Sequence, residues 1–409
     1  MLVDLTGWKD IVDKKLLNYN KTLSKNIIRQ ILLKKTSFSF LRKDNNEEIF
    51  SLLYNTKKKF SGYDQILLIG TGGSSLGAKA FLNTIQNKKI FILENIDPSN
   101  ISSLLKNFSK IKKIGIIIIS KSGETIETLS LFNIVIKNLK NKINLLKDVI
   151  IISDNKSSTL LRISKSLNIK TIHHDATIGG RYSCFSITGL LPIHLAGVNG
   201  KIIKERADKN FLDNLKSDKF NNQKAINILA GVLKEKKYFT HVFLIYSDVL
   251  SEIANWYRQL WSESLGKKGY GLYLMNSTGA IDQHSQLQMW IDGPKNIIFT
   301  VVIPRKRSTS LKTNSFANIL PKYFSNVDIG KILNIMGEAT IKELKKAKIP
   351  VRIIYLDNDS INSAVTLMSA LLLEVSLIGK VIGINPFDQP EVEKIKLRTK
   401  KMLESYGRN

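Results

Sequence analysis

A chain of 409 residues is too long for one core and predicts two or three domains, and 43% hydrophobic with 23% charged residues predicts that they fold and rules out general disorder. The net charge of +28 is the one extreme value, from 62 Lys and Arg against 34 Asp and Glu. The lysines are scattered through helices and turns, not gathered on one face with stacking aromatics, which argues against a nucleic-acid partner and suits a small anionic substrate.

The chain begins "MLVDLTGWKD", with acidic residues where an export signal needs a basic start and an apolar run, so a soluble, cytoplasmic protein is expected. Residues 1–44 read as an N-terminal helical arm. From 45 to 200 the runs "QILLIG", "KIFILEN", "KIGIIIIS" and "DVIIIS" alternate with amphipathic stretches of helical length, and from 201 to 385 the same rhythm returns in "HVFLIYS", "NIIFTVVI" and "VRIIYL". Continuous Ile, Leu and Val without alternation marks strands covered on both faces. Each group therefore predicts a doubly wound α/β domain with a parallel sheet, and the polar "AGVNGKIIKERADKN" is the seam between them. The tract "MSALLLEVSLIGKVIGI" is interrupted by Glu374 and Lys380, which predicts a buried helix and not a membrane span. Residues 386–409 read as a helical tail.

Chemistry concentrates at a few turns. "GTGGSSLGAK" follows a strand and starts a helix; its glycines allow a sharp turn and close approach of a ligand, with Gly73 and Ser74 at the centre, and a purely structural turn fits the same residues. "SKSGETIET" repeats the strand-to-helix arrangement with hydroxyls at Ser120, Ser122 and Thr125 around Gly123. Simple N-capping needs one such hydroxyl, and several together form a nest for a phosphate. "GGRYSCFSITG" places Arg181 behind Gly179 and Gly180, either to stabilise a developing oxyanion or as a surface ion-pair partner. Cys184 in the same stretch is the single cysteine, which excludes an intramolecular disulfide; it reads as a small core hydrophobe.

In "SEIANWYRQLWSESLGK", Glu252, Gln259 and Glu263 share one helical face, and Gly266 is the expected C-cap. The negative end of the helix dipole disfavours ionisation of Glu263, as a general base for a carbon acid requires; a solvated Glu paired with Lys267 is the alternative. "GAIDQHSQLQMW" holds His284 in a Gly-entered polar turn, a setting for a proton donor or for a structural imidazole. The adjacent His173 and His174 point to opposite sides of an extended chain and lack partners, so no metal is expected.

Taken in order, "GTGGSSLG", "SKSGETIET", "GGRYSCFSITGLLPIHLAG", "YRQLWSESLGK", "GAIDQHSQLQ" and "FDQPEVEKIK" resemble the glucose-6-phosphate isomerase family from about residue 60 to about 400. The resemblance implies two sugar-isomerase domains, a homodimer whose active site borrows a histidine from the neighbouring subunit, a sugar phosphate as substrate, and neither cofactor, metal, nucleic acid nor membrane. It assigns the substrate phosphate to Ser120, Lys121, Ser122 and Thr125, and sugar contacts to Gly73, Ser74, Gly180 and Gln389. Glu263 resembles the base that carries a proton between C1 and C2, Arg181 the group that stabilises the cis-enediolate, and His284 with Lys396 the pair that opens the sugar ring. Two positions depart from the pattern: Thr71 replaces an aliphatic residue and Glu391 a glycine, the latter adding negative charge near Lys396.

Overall fold

The computed structural model describes residues 1–35, 37–217, 222–314 and 319–406. The last three residues of the expected tail lie outside them. The chain divides into two units: a first made of Phe38–Leu82, Gln86–Glu205 and Phe387–Asn409, and a second made of Met1–Ser37, Asn83–Ile85 and Arg206–Pro386. In chain order the strands are β1 (Leu2–Asp4), β2 (Gln65–Ile69), β3 (Ile90–Leu93), β4 (Ile114–Ile119), β5 (Val149–Ser153), β6 (Lys170–His173), β7 (Thr240–Ile245), β8 (Tyr273–Thr278), β9 (Ile297–Lys306) and β10 (Val351–Asn358).

The sheet of the first unit runs β3-β2-β4-β5-β6, parallel throughout. All six residues of β4 are buried, as its unbroken Ile run demands of a strand covered on both faces. One face packs Leu67, Ile116 and Ile151 against Leu131 and Val135 of the helix Ile126–Leu139 and Ile101 of the helix Pro98–Phe108. The opposite face buries Ile66, Leu68 and Ile117 completely. Because β2 is flanked by β3 on one side and by β4 on the other, the order of the strands reverses there. Such a switch point leaves a crevice at the carboxyl ends of the two strands, and ligands of doubly wound sheets bind in it. The chain leaves those ends as "GTGGSSLG" after β2 and "SKSGETIET" after β4.

The sheet of the second unit runs β1-β10-β9-β7-β8. The strands β7 to β10 are parallel, while β1 joins the edge antiparallel, pairing Val3 with Ile354. Sequence reading missed β1, because three residues are too few to show a period, and also β6 and β8, whose runs "KTIH" and "YLMNST" mix polar with apolar residues. One face packs Val242, Leu244 and Phe299 against Trp290 and against Ile341 and Leu344 of the helix Ile329–Lys346. On the other face Phe243 lies 4.8 Å, centroid to centroid, from Tyr257 of the helix Ser251–Leu265. The long apolar tract forms the helix Ile361–Val381, most of which is buried inside this unit, as expected of a core helix.

Candidate active site

In the first unit the turn after β2 is a short 3-10 segment, Gly72–Ser74, that leads into the helix Leu76–Thr84. Ser75 is fully buried; its hydroxyl donates to Glu94 Oε2 at 2.9 Å, and Lys79 Nζ donates to Glu94 Oε1 at 2.7 Å. This trio fastens the turn from behind and leaves Gly73 and Ser74 half-buried on the other side. Gly73 meets the segment Gly180–Phe185 so closely that a Cβ on it would collide with Gly180 C and Arg181 N. Glycine is required here by the approach of two backbones. Ser183 seals the contact by donating its hydroxyl to Gly73 O at 3.3 Å.

That contact fixes Arg181, whose side chain is only 2% exposed. Its Nη1 donates to Gln389 Oε1 at 2.6 Å and its Nη2 to Asp388 O at 2.9 Å. The tail segment reaches this point because Phe387 is anchored in an aromatic cluster, with centroids 5.3 Å from Phe38 and 5.1 Å from Tyr182. The structure thus brings Gly73, Gly180, Arg181 and Gln389 together, from three stretches far apart in sequence. Arg181 is no surface ion-pair residue.

After β4, Ser120 is buried and its hydroxyl both donates to Thr125 Oγ1 at 3.1 Å and accepts from Gly123 N at 3.1 Å. Gly123 has φ of +64°, and a Cβ there would strike the Ser158 hydroxyl, so the turn needs glycine twice over. Ser122 is exposed and lies 3.4 Å from Thr125 Oγ1. Thr125 is the N-cap residue of the helix Ile126–Leu139, yet among the described residues its side chain makes no capping bond. Its hydroxyl joins those of Ser120 and Ser122 at the positive end of the helix, the arrangement an incoming phosphate meets with both dipole and donors.

Lys121 lies between Ser120 and Ser122 in the chain. Burial pushes its ammonium below the ordinary 10.5; Asp154 opposes the shift, Lys156 adds to it, Asp175 opposes and Arg181 adds. An anion placed here would relieve an ammonium that the fold has partly dehydrated and set among other cations.

In the second unit Glu263 is half-buried in the last turn of the helix Ser251–Leu265 and accepts a hydrogen bond from Gln259 Nε2 at 2.9 Å. Gly266 is the C-cap, with its N–H bonded to Ser262 O at 3.0 Å. Lys267 Nζ reaches Asn385 O at 2.6 Å. Glu252, on the same face, accepts from Asn255 Nδ2 at 2.9 Å.

His284 is exposed and follows the far end of β8. Its polar neighbours are occupied in building the turn: Asp282 accepts from Thr278 N at 2.8 Å, and Gln283 Nε2 donates to Tyr246 O–H at 2.8 Å and to Met336 O at 3.1 Å. The imidazole is therefore presented outward from a braced turn.

The model of the phosphoglucose isomerase family matches residues 54–407. The chain belongs to the phosphoglucose isomerase family. It is 35% identical over 356 residues to the glucose-6-phosphate isomerase of Campylobacter jejuni, covering 83% of this chain and 85% of that protein. It is 31% identical over 342 residues to that of Methanocaldococcus jannaschii, covering 83% and 84%. Among solved structures, a Thermus thermophilus protein described as hypothetical superposes with a TM-score of 0.81 at 26% identity, over 95% of this chain and 96% of that one. A glucose-6-phosphate isomerase from Chlamydia trachomatis shares the fold, with a TM-score of 0.78 at 18% identity over 97% and 87%. As a member of the phosphoglucose isomerase family the chain is an aldose–ketose isomerase of sugar phosphates.

Within this isomerase the tail is the least embedded of the site segments. Lys396 lies on the helix Pro390–Tyr406, none of whose described residues is buried, and pairs with Glu393 at 2.8 Å. The extra charge of Glu391 is taken up by Lys394 at 2.7 Å. Sequence reasoning did not single out Gln259 as the direct partner of Glu263, although its place one helical turn earlier was a legible signal. It also missed the Ser75–Glu94–Lys79 trio, whose Glu94 comes from the end of another strand and carries no motif.

Proposed function

We propose that the chain interconverts glucose 6-phosphate and fructose 6-phosphate through a cis-enediolate, with one base moving a proton between neighbouring carbons. The paired turns after β2 and β4 carry the first part of this reading: hydroxyls of Ser120, Ser122 and Thr125 with Lys121 hold the phosphate, and Gly73, Ser74, Gly180 and Gln389 contact the sugar. Binding the phosphate remotely from the chemistry supplies energy that orients the reacting carbons. Arg181, dehydrated and aimed by Gln389 and Asp388, stabilises the enediolate oxygen, a contribution of about 3 kcal/mol for a well-placed donor.

Glu263 is the base, with Gln259 Nε2 holding one carboxylate oxygen in place at 2.9 Å. A single base suffices, because the proton leaves C2 and returns to C1 on the same face. His284 and Lys396 open the sugar ring before that step. There is no net redox change: C2 is oxidised from alcohol to ketone as C1 is reduced from aldehyde to alcohol, so no external oxidant or reductant is needed.

The active site is shared between two copies of the chain. The observation that supports this is the place of the two acid–base groups along β8: Glu263 precedes its first residue and His284 follows its last. Exposed Ile281 and Met289 flank His284, and Val392, Ile395, Met402 and Tyr406 form an exposed apolar series along the tail helix. Both surfaces are of the kind a second subunit covers. In this reading each unit serves as one sugar-isomerase domain, with the arm and the tail taken into them, and the site of action is the cytoplasm.

A coupled assay that converts fructose 6-phosphate to glucose 6-phosphate, run on the purified chain, tests the reading. Turnover that disappears on Glu263→Gln supports it. A chain that binds sugar phosphates without turning them over is a sensor, and a chain that binds only DNA or RNA, with steep salt dependence, owes its +28 to nucleic acid.

A further inference from the structure

We propose that Tyr257 is a positioning residue for the Glu263 base, with its hydroxyl held in place by the buried Glu374–Arg352 pair. The proposal rests on the reading of Glu263 as the base. Tyr257 belongs to the same helix, Ser251–Leu265, and precedes Glu263 by six residues, about 9 Å along the axis. Ile253, Trp256, Leu260 and Trp261 hold the buried face of this helix by apolar packing, which is non-directional. A helix held by apolar contacts alone can turn or slide by fractions of an ångström at little cost. Directional bonds remove that freedom.

Tyr257 supplies such a bond. Its hydroxyl donates to Glu374 Oε1 at 3.0 Å, from a ring that is fully buried. Burial, then the charge of Glu374, pushes the phenol well above its ordinary 10.0, so it remains a donor in the neutral range. Glu374 comes from the middle of the helix Ile361–Val381 and is paired with Arg352 of β10, Nη2 reaching Oε1 at 3.2 Å and Nη1 reaching Oε2. Arg352 is itself fixed on two further sides: Nε donates to Thr300 Oγ1 of β9 at 3.0 Å, and its guanidinium lies 4.8 Å from the ring centroid of Trp8. An unbroken series of directional contacts thus runs from two central strands to the helix of the base.

Stability alone does not explain this arrangement. Both members of the pair are 1% exposed, and for such a pair the cost of dehydration offsets the attraction, so that apolar replacements are often neutral or stabilising. What two apolar side chains would not provide is a single geometry for the Tyr257 hydroxyl. Trp261 Nε1, bonded to Leu272 O at 3.0 Å, gives the helix a second fixed point just before Glu263. Proton abstraction from carbon is sensitive to this, since a misplacement of about 1 Å costs on the order of 100-fold in rate.

The test uses the full-length chain. Tyr257→Phe keeps the ring and removes the hydroxyl; with fructose 6-phosphate, kcat is expected to fall about tenfold with KM within about twofold, as for loss of fine positioning. Substrate deuterated at the carbon that loses its proton gives a second readout, and the variant should lose a larger share of label to solvent relative to internal transfer. Arg352→Met/Glu374→Leu, which replaces the pair by apolar side chains, should show the same loss of kcat at an unchanged or higher melting temperature. Wild-type kcat and a wild-type ratio of transfer to exchange in either variant would overturn the proposal. Glu263→Gln is measured alongside: full turnover there rejects the base itself, whereas lost turnover there with normal Tyr257→Phe rejects only the positioning role.

Discussion

Glu263 and His284 stand at opposite ends of strand β8, the carboxylate before Tyr273 and the imidazole after Thr278. The six residues of the strand rise roughly 17 Å. The connections do not fold back across this length: Trp261 is bonded to Leu272 O at the near end, and Asp282 and Gln283 brace the far turn against Thr278 and Tyr246. Two groups assigned to one sugar are thus held apart within a single subunit, as the proposed sharing of sites between two copies requires.

Glu263→Gln keeps the shape of the side chain and the helix around it but cannot accept a proton. We expect turnover to fall by at least about three orders of magnitude with KM within a few-fold, because the interaction removed operates in the transition state. Steady-state kinetics on fructose 6-phosphate check this. A variant with normal kcat would take Glu263 out of the mechanism.

Thr125→Val removes one hydroxyl from the phosphate nest. Hydrogen bonds to a charged group contribute about 1.5–3 kcal/mol, so KM should rise roughly 10- to 100-fold. The melting temperature should fall modestly, since the buried Ser120 hydroxyl loses Thr125 Oγ1 as its acceptor. An unchanged KM would mean that the phosphate lies elsewhere.

Lys121 gives the site a pH signature. Its ammonium is held below the ordinary 10.5 by burial and by neighbouring cations. In the window between that lowered value and 10.5 the unfolded chain binds more protons than the folded one, so the stability cost of the buried charge is present below the window and is relieved as pH rises through it. A bound phosphate supplies the missing counter-charge and draws the value back up, so binding takes up a proton and weakens as pH climbs through the same window. Inhibition constants of a non-reactive sugar phosphate measured against pH should show this for the wild type and lose it in Lys121→Met. Identical profiles would place the ammonium away from the anion.

Most of the fold was legible in the sequence because its strands are covered on both faces. "KIGIIIIS" and "QILLIG" have no solvent side on which polar residues could blur the pattern, and all six residues of β4 are indeed buried. Strand β1 was not legible, since it is short and joins a sheet edge formed by residues some 350 positions later. The loops after β2 and β4 stood out because close backbone approach demands glycine there, at Gly73 against Gly180 and at Gly123 with φ of +64°. Glu94 and the Tyr257–Glu374–Arg352 series did not, since each lies in an ordinary-looking strand or helix and acquires meaning only from partners that the fold supplies.

The charge of +28 makes a separate prediction. If the positive field steers sugar phosphate to the site, kcat/KM should fall as ionic strength rises from about 0.01 to 0.5 M while kcat stays level, because screening shortens the reach of the field from roughly 30 Å to a few ångströms. A flat kcat/KM would leave the lysines as composition without a role in encounter.

The most direct measurement mixes two inactive variants. In a dimer with shared sites, Glu263→Gln and His284→Asn subunits combine into heterodimers in which one site carries both wild-type groups and the other carries neither. After unfolding and refolding together in equal amounts, half of the dimers are mixed, so activity should return to about a quarter of the wild-type value. Recovery to that level is the predicted result; a mixture as inactive as its two components would contradict a site built from Glu263 of one copy and His284 of the other.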